Sequence, residues 1–467
     1  METARGRIVE TIRKRYGEKC RGFKWITEEE ALKAEAERTS LLESVNGHVS
    51  YMCNGTKPFF VDVSPGCRLC SEGLWSCLFI NGKCNGHCFF CPSEQTSVGE
   101  PMTSALGFSS PADYLDYLDS FGFKGVSISG GEPLISFDRT VRFLSAVQER
   151  FGSDIYKWLY TNGILLTKDH LIRLKETGLN EIRFNLVMQN YEIEKIETAA
   201  RYIDTVTVEI PAIPEDYNRM CGVIPKLAEC GVKFLNLHQL RCTPYNCENY
   251  IKRGYTFLHG PDVTILESEL TALRLIRYSA ESGTGLPVNY CSFVYRNNFQ
   301  GTGARKRSAS CIGKPFEDIT GAGMIRHMSV ILPEKDAERT IIFLQEKGIK
   351  AETVDFDKRS SRLSFTEDAL KYIDRNLTLT LSYYDSMLNA SASYRNVFKK
   401  IRLNNKKEIV AERWPAMPAF ELSGDDAVIF RKMCSGDALP DPGGLNSAKW
   451  KDINLMENLP AGLQAYW

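Results

Sequence analysis

The run Cys84-Asn85-Gly86-His87-Cys88-Phe89-Phe90-Cys91 decides how this chain is read. Its spacing, C-x3-C-x2-C, packs three thiols into eight residues. Three thiolates this close suit one face of an iron–sulfur cube and leave its fourth iron without a protein ligand. An open iron binds a substrate or cofactor and does chemistry, whereas a cube closed by four cysteines usually carries electrons or holds structure. The competing reading is a zinc knuckle, which needs a fourth Cys or His from the far side. His87 lies inside the run but is badly placed for that duty, because its neighbour Cys88 would have to point the same way.

Gly130 lies 39 residues beyond Cys91 and opens Gly130-Gly131-Glu132-Pro133 behind the apolar stretch Gly-Val-Ser-Ile. Alone, that motif is most often a turn. In this order behind the cysteine triplet, with the aromatic Phe90 just before the last cysteine, it resembles the radical S-adenosylmethionine (SAM) superfamily. The resemblance implies a [4Fe-4S] cluster on Cys84, Cys88 and Cys91. In that superfamily the open iron is chelated by the amino and carboxylate groups of the SAM methionine. It also implies that the two glycines let the backbone approach that amino group, and that polar atoms of the motif, Glu132 included, accept its hydrogen bonds.

At 467 residues the chain has room for a large core and two or three domains. Lysine plus arginine balance aspartate plus glutamate, 58 against 58. That balance gives no support for an obligate nucleic-acid binder or a partner to anionic membranes. The basic patches Arg305-Lys306-Arg307 and Lys399-Lys400 read as solvated surface. No apolar run reaches the ~18 residues of a spanning helix, and the N-terminal residues lack the apolar core of a signal peptide. The expected location is the cytoplasm, where fifteen cysteines serve as ligands and buried thiols rather than disulfides.

Residues 1–45 read as two charged helices, the second starting at Glu28-Glu29-Glu30. Strand and helix patterns then alternate. Strands are expected at 78–80, 126–129, 158–161, 182–186, 206–213 and 234–240, and helices at 112–121, 139–151, 168–177, 193–203, 223–230 and 266–282. Six strand–helix repeats argue for a parallel barrel or part of one. The resemblance implies the same: an α/β fold, a partial (β/α)6 TIM-like barrel of the radical SAM type. The expected division is an N-terminal helical extension over 1–63, a barrel core over 64–312, and a small α+β domain with a tail over 313–467. In that last part, strands are expected at 328–332, 351–356, 377–383 and 409–414, with helices at 334–347 and 365–376. The stretch 438–446, rich in Pro, Gly and Asp, reads as a loop packed over the body or a mobile end.

Parallel barrels place their chemistry at the C-terminal ends of the strands. Glu132, Thr161 and Asn162 fall there, and Arg183 with Asn185, Glu209, and Asn236 with His238 lie on strands four, five and six. Asn236 and His238 alternate with Leu235, Leu237 and Leu240, so they share one strand face. In a strand covered on both sides, polar residues on one face point to a lined interior. Arg183 and Asn185 share a face by the same logic. The resemblance implies that polar residues on strand four hold the SAM ribose or carboxylate. With Phe90, Gly130 and Gly131, these residues make up the expected cofactor-binding set.

The resemblance implies that further cysteines form a second metal centre, iron–sulfur in preference to zinc, with plain buried thiols as the alternative. Cys67 and Cys70 form a C-x2-C pair just before the first strand, and Cys291 follows the sixth repeat. Cys77 or Cys311 is the expected fourth ligand. Gly66-Cys67-x-x-Cys70, Glu-Ile-Arg-Phe, Val-Glu-Ile-Pro-Ala-Ile-Pro, Asn-Leu-His-Gln-Leu and Tyr290-Cys291-Ser292 together resemble a branch of the superfamily related to pyruvate formate-lyase activating enzyme. That resemblance covers residues 64–312 and names no substrate. There is no Asp-x-His-x-x-Gly signature for cobalamin.

The implied activity is reductive cleavage of SAM to methionine and a 5′-deoxyadenosyl radical, which removes hydrogen from an unidentified substrate. An electron donor such as ferredoxin or flavodoxin is the implied partner. Two rivals stay open: an activase that installs a radical on a partner protein, and a non-catalytic iron–sulfur electron-transfer module.

Overall fold

Residues 181–185, Glu-Ile-Arg-Phe-Asn, show how this sequence makes its sheet. Ile182 and Phe184 are fully buried, while Arg183 and Asn185 line an internal cavity. A period of two sends the apolar set outward under the helices and the polar set inward. The same alternation sets Val208 against Glu209, and Leu235 and Leu237 against Asn236 and His238.

The computed structural model describes residues 4–436 and 447–466; the expected loop at 438–446 lies outside them. The chain divides into two compact units, residues 1–301 with 460–467, and residues 302–459.

The first unit carries a run of parallel strands: β1 (Trp75–Phe79), β2 (Gly125–Ser129), β3 (Tyr156–Thr161), β4 (Glu181–Phe184), β5 (Thr205–Pro211), β6 (Phe234–His238) and β7 (Val288–Cys291). They pair in chain order. Helices at Pro111–Ser120, Phe137–Phe151, Lys168–Glu176, Glu194–Ala200, Tyr217–Glu229 and Leu266–Glu281 alternate with them. At each edge an antiparallel hairpin, not the opposite parallel strand, takes the free ladder: Val49–Met52 with Lys57–Phe60 beside β7, and Met102–Thr103 with Leu106–Gly107 beside β1. This is a partial TIM-like α/β barrel, as expected, with a seventh parallel strand beyond the six repeats. The short Val-Asn-Tyr-Cys of β7 has too few residues to display a period of its own, so pairing with β6 and the hairpin makes it a strand.

Ala4–Tyr16, Glu28–Ser44 and the short Pro65–Ser71 are also helices of this unit. The second begins with a capping box, in which the Thr27 hydroxyl accepts from the Glu30 amide and the Glu30 carboxylate accepts from the Thr27 amide. The residues near the chain end also return here: the Tyr466 hydroxyl donates to Glu269 at 2.5 Å, and the Arg38 guanidinium stacks on the Tyr466 ring.

The second unit is α+β. Its antiparallel sheet runs in the order Val354–Asp357, Arg362–Phe365, Ile325–Ile331, Leu379–Asn389, Glu408–Pro415, Val397–Arg402. Helices Glu334–Glu346, Asp425–Ser435 and Ala448–Glu457 contribute Ala337, Leu344, Phe430, Trp450 and Ile453 to a core shared with that sheet. The helix expected over 365–376 shrinks to Glu367–Leu370, because Phe365 is drawn into the sheet opposite Met328 and Val354.

Candidate active site

Beyond β1 the chain crosses the C-terminal end of the barrel as an extended loop, and its backbone has to find partners outside any ladder. Asn81 supplies several. Its carbonyl accepts from the Gly131 amide (2.9 Å), its side-chain oxygen from the Lys83 amide (2.7 Å), and its amide group donates to the Glu132 carbonyl (3.0 Å). The Glu132 amide donates to the Lys83 carbonyl at 2.7 Å. The cysteine loop and the Gly-Gly-Glu-Pro turn are thus tied backbone to backbone. Gly130 has φ +145°, outside the range of ordinary L residues. A Cβ at Gly131 would collide with the Lys83 carbonyl. In this structure the glycines permit the two loops to touch.

Further along, Asn246 and Asn249 donate to the carbonyls of Phe90 and Phe89 (3.0 and 2.9 Å), and Thr243 donates to that of Pro92 (2.9 Å). The loop is held from both sides. Cys84, Cys88 and Cys91 line one cavity of about 880 Å3 together with Phe90, Gly130, Gly131, Thr161, Asn162, Arg183, Asn185, Glu209 and His238. That volume is in the range of ligand sites, about 300–1,000 Å3. Burial, reinforced by the neighbouring thiols, pushes Cys88 up to about 12 and Cys91 up to about 11, so deprotonating either at neutral pH takes a bound cation.

Among the described residues, no three Cys, His, Asp or Glu side chains are arranged to hold a metal ion. A cube makes a different demand, because each thiolate takes its own iron and the sulfurs stand apart around it. Three thiols facing one roomy cavity, on a loop whose backbone is fixed, fit that demand.

The cavity floor is charged. Arg183 is buried, donating to Glu209 (2.7 Å), Glu181 (3.2 Å) and Ser64 (2.9 Å), with its guanidinium over the Trp158 ring. Burial alone would raise the Glu209 pKa; Arg183, then His238 and Asn236, overcome it and hold the carboxyl well below the usual range. His238 Nε2 lies 2.6 Å from Glu209. Burial pushes the His238 pKa down despite the pull of Glu209. The neutral ring therefore donates Nε2–H to the carboxylate and keeps Nδ1 as an acceptor.

Two members of the expected cofactor set are placed differently. Glu132 is buried outside the cavity lining. Its carboxylate accepts from the Leu134 amide (3.0 Å), the Asn162 amide (2.7 Å) and the Thr161 hydroxyl (2.8 Å), clamping the ends of β2 and β3 together. Burial raises its pKa even so. Asn236 also lies behind the lining, donating to Glu209 (2.9 Å) and Cys67 (3.4 Å). Conversely, Cys77 lines the cavity, away from Cys67, Cys70 and Cys291. Cys311 packs with Ala309, Ile312, Ile325 and Ala411 in the second unit. Sequence reasoning passed over Arg241 and Arg296. Both line the cavity and both stack on Phe293, with guanidinium carbons 5.6 and 4.9 Å from its ring centre. They give the cavity a wall suited to an anionic group.

Residues 78–206 match the family described as the Radical SAM superfamily. A Methanocaldococcus jannaschii protein named "Putative glycyl-radical enzyme activating enzyme" is 31% identical over 366 residues, 74% of this chain and 95% of that protein. A GTP 3',8-cyclase of Campylobacter jejuni is 29% identical over 161 residues, 34% of this chain and 48% of the cyclase. A solved structure of Streptococcus suis SuiB bound to S-adenosylmethionine aligns over 50% of this chain and 57% of its own, at 14% identity and a TM-score of 0.33, too distant to add weight. On the family match and the near-full-length relative, this chain is an enzyme of the radical SAM superfamily.

Proposed function

We propose that Cys84, Cys88 and Cys91 hold the SAM-cleaving [4Fe-4S] cluster, and that the cavity beside them takes SAM together with a substrate that loses a hydrogen atom. The observation that carries this reading is the lining of one cavity by all three thiols, Gly130, Gly131 and the charged floor. When bound, the reduced cluster with SAM supplies methionine and a 5′-deoxyadenosyl radical able to take hydrogen from an unreactive C–H bond.

The chain's own residues position and shield. Asn162 donates to Asn85 at 2.8 Å and reaches Cys84 Sγ at 3.7 Å, fixing the cysteine loop against the end of β3. The Gly130–Gly131 backbone and Asn185 present polar atoms to a methionine amino and carboxylate group. Phe90, Phe293 and Met188 supply apolar wall that keeps water from a reactive intermediate. Arg241 and Arg296 bind an anionic substituent, and His238, in the floor, offers Nδ1 as an acceptor to a donor on the substrate.

The name of the Methanocaldococcus relative favours a second reading, in which the hydrogen donor is a residue of a partner protein. Anaerobic reconstitution with iron, sulfide, dithionite and SAM tests both, dithionite replacing the ferredoxin or flavodoxin expected as donor. 5′-Deoxyadenosine is the expected product, and its absence from iron-loaded, SAM-bound protein sinks the proposal. A stable organic radical on an added glycyl-radical protein, seen by electron paramagnetic resonance, selects the activase reading.

A further inference from the structure

Lys57 is fully buried among cysteines. It opens the second strand of the edge hairpin, and the pairing of Phe59 with Asn289 and Phe60 with Val288, continued by two residues, sets it opposite Cys291. Its ammonium donates to Cys291 Sγ at 2.6 Å and to Asn289 Oδ1 at 2.7 Å, and lies 4.6 Å from the centre of the Tyr295 ring. Cys53, from the turn of the same hairpin, packs against Cys70, Cys291 and Tyr295. An ammonium out of water needs anions, and here the surrounding groups able to become anionic are thiols.

Other donors point at the same sulfurs. Asn236 donates to Cys67 (3.4 Å), Gln300 to Cys70 (2.8 Å) and the Tyr295 hydroxyl to Cys70 (3.2 Å). Neutral thiols are weak acceptors that attract few such partners; thiolates bound to metal are strong ones, and donors to ligating sulfur are how a protein supports them. The turn adds a second observation. Cys53 and Asn54 both adopt left-handed backbone, φ +54° and +53°. Asn tolerates that region, but Cys pays strain for it, at a turn packed against the group.

We propose that Cys53, Cys67, Cys70 and Cys291 ligate a second [4Fe-4S] cluster, with Lys57, Asn236, Tyr295 and Gln300 donating to the ligating sulfurs. The fourth ligand is thus Cys53, in place of Cys77, which lines the cavity, or Cys311. Four cysteines saturate the cube, so this centre binds no substrate. Neither its thiols nor Lys57 lines the cavity.

The test uses the full chain with Cys84→Ala, Cys88→Ala and Cys91→Ala combined, so that it does not depend on the SAM-cleaving site. After anaerobic reconstitution, folded protein (checked by circular dichroism) is expected to hold about four irons and about four sulfides. Its reduced paramagnetic signal should not change when SAM is added. Adding Cys53→Ser, a change at a half-exposed turn, should speed iron loss to a chelator at least tenfold. Folded triple variant without iron and sulfide, or with zinc alone, overturns the cluster. A SAM-sensitive signal overturns its saturation, and unchanged iron retention in the Cys53→Ser variant overturns the fourth ligand.

Discussion

The barrel holds two groups of cysteines, and they are built in opposite ways. Cys84, Cys88 and Cys91 sit within eight residues of one loop, open onto a cavity, and are fixed through their backbone by Asn81, Asn246, Asn249 and Glu132. Cys53, Cys67, Cys70 and Cys291 come from a hairpin turn, a short helix and β7, and side chains reach them directly at sulfur. Backbone support leaves the space before the sulfurs free, with Asn162 and the Gly86 amide reaching Cys84 alone, as a site that admits a second molecule requires. Side-chain support surrounds the sulfurs, as a sealed site requires.

Cys88→Ala gives the largest expected effect, because it removes one of three thiols from the open site. 5′-Deoxyadenosine formation should fall below detection, while about four irons per chain remain at the sealed site. Loss of all iron would erase the distinction between the sites. Gly131→Ala comes next. Its added Cβ meets the Lys83 carbonyl, so the loops must part. Overpacking of this kind costs about 1–3 kcal/mol, and a shift near 1 Å at a reacting centre costs about 100-fold in rate. SAM cleavage by folded, iron-loaded Gly131→Ala protein should drop by about that factor without change in the iron of the sealed site.

This contrast also explains what the sequence could reveal. The open site was legible because its ligands are local: three cysteines within one turn-rich loop and a glycine pair that a close approach requires. The barrel was legible through the period of two in stretches such as Glu181–Phe184. What stayed hidden depends on distant pairing. The Glu132 carboxylate has no local signal for the partners it takes, because the ends of β2 and β3 meet on it only in the fold. Cys53 precedes Cys291 by 238 residues, and only the hairpin beside β7 brings them together. Lys57 carries no sequence signal of burial, since lysine in a hairpin strand reads as solvated edge.

Lys57→Met sharpens the sealed half of the comparison. With the cluster bound, this change removes a positive charge and a donor from a ligating sulfur. The reduction potential should then fall, and a redox titration of the triple cavity variant with and without Lys57→Met measures the difference. An unchanged potential would mean that Lys57 does not touch the cluster's ligands.

The smallest effect concerns protons and belongs to the open site alone. His238 has its pKa lowered in the fold by burial, with Arg296 and Lys57 adding to the shift and Glu209 opposing it. As pH drops below about 6.5 the unfolded chain takes up this proton before the folded one does, so the native state loses stability as pH falls. The side chain is one-quarter exposed, which limits the loss to less than about 1 kcal/mol between pH 7 and pH 5.5. His238→Gln keeps a donor for Glu209 but cannot titrate, so its melting temperature should fall less over that interval than that of the unaltered chain. At the sealed site burial pushes the Cys53 and Cys291 thiols up, and Cys70 up to about 12. An equal pH slope in the His238→Gln protein would show that the cavity floor does not hold a neutral imidazole against Glu209.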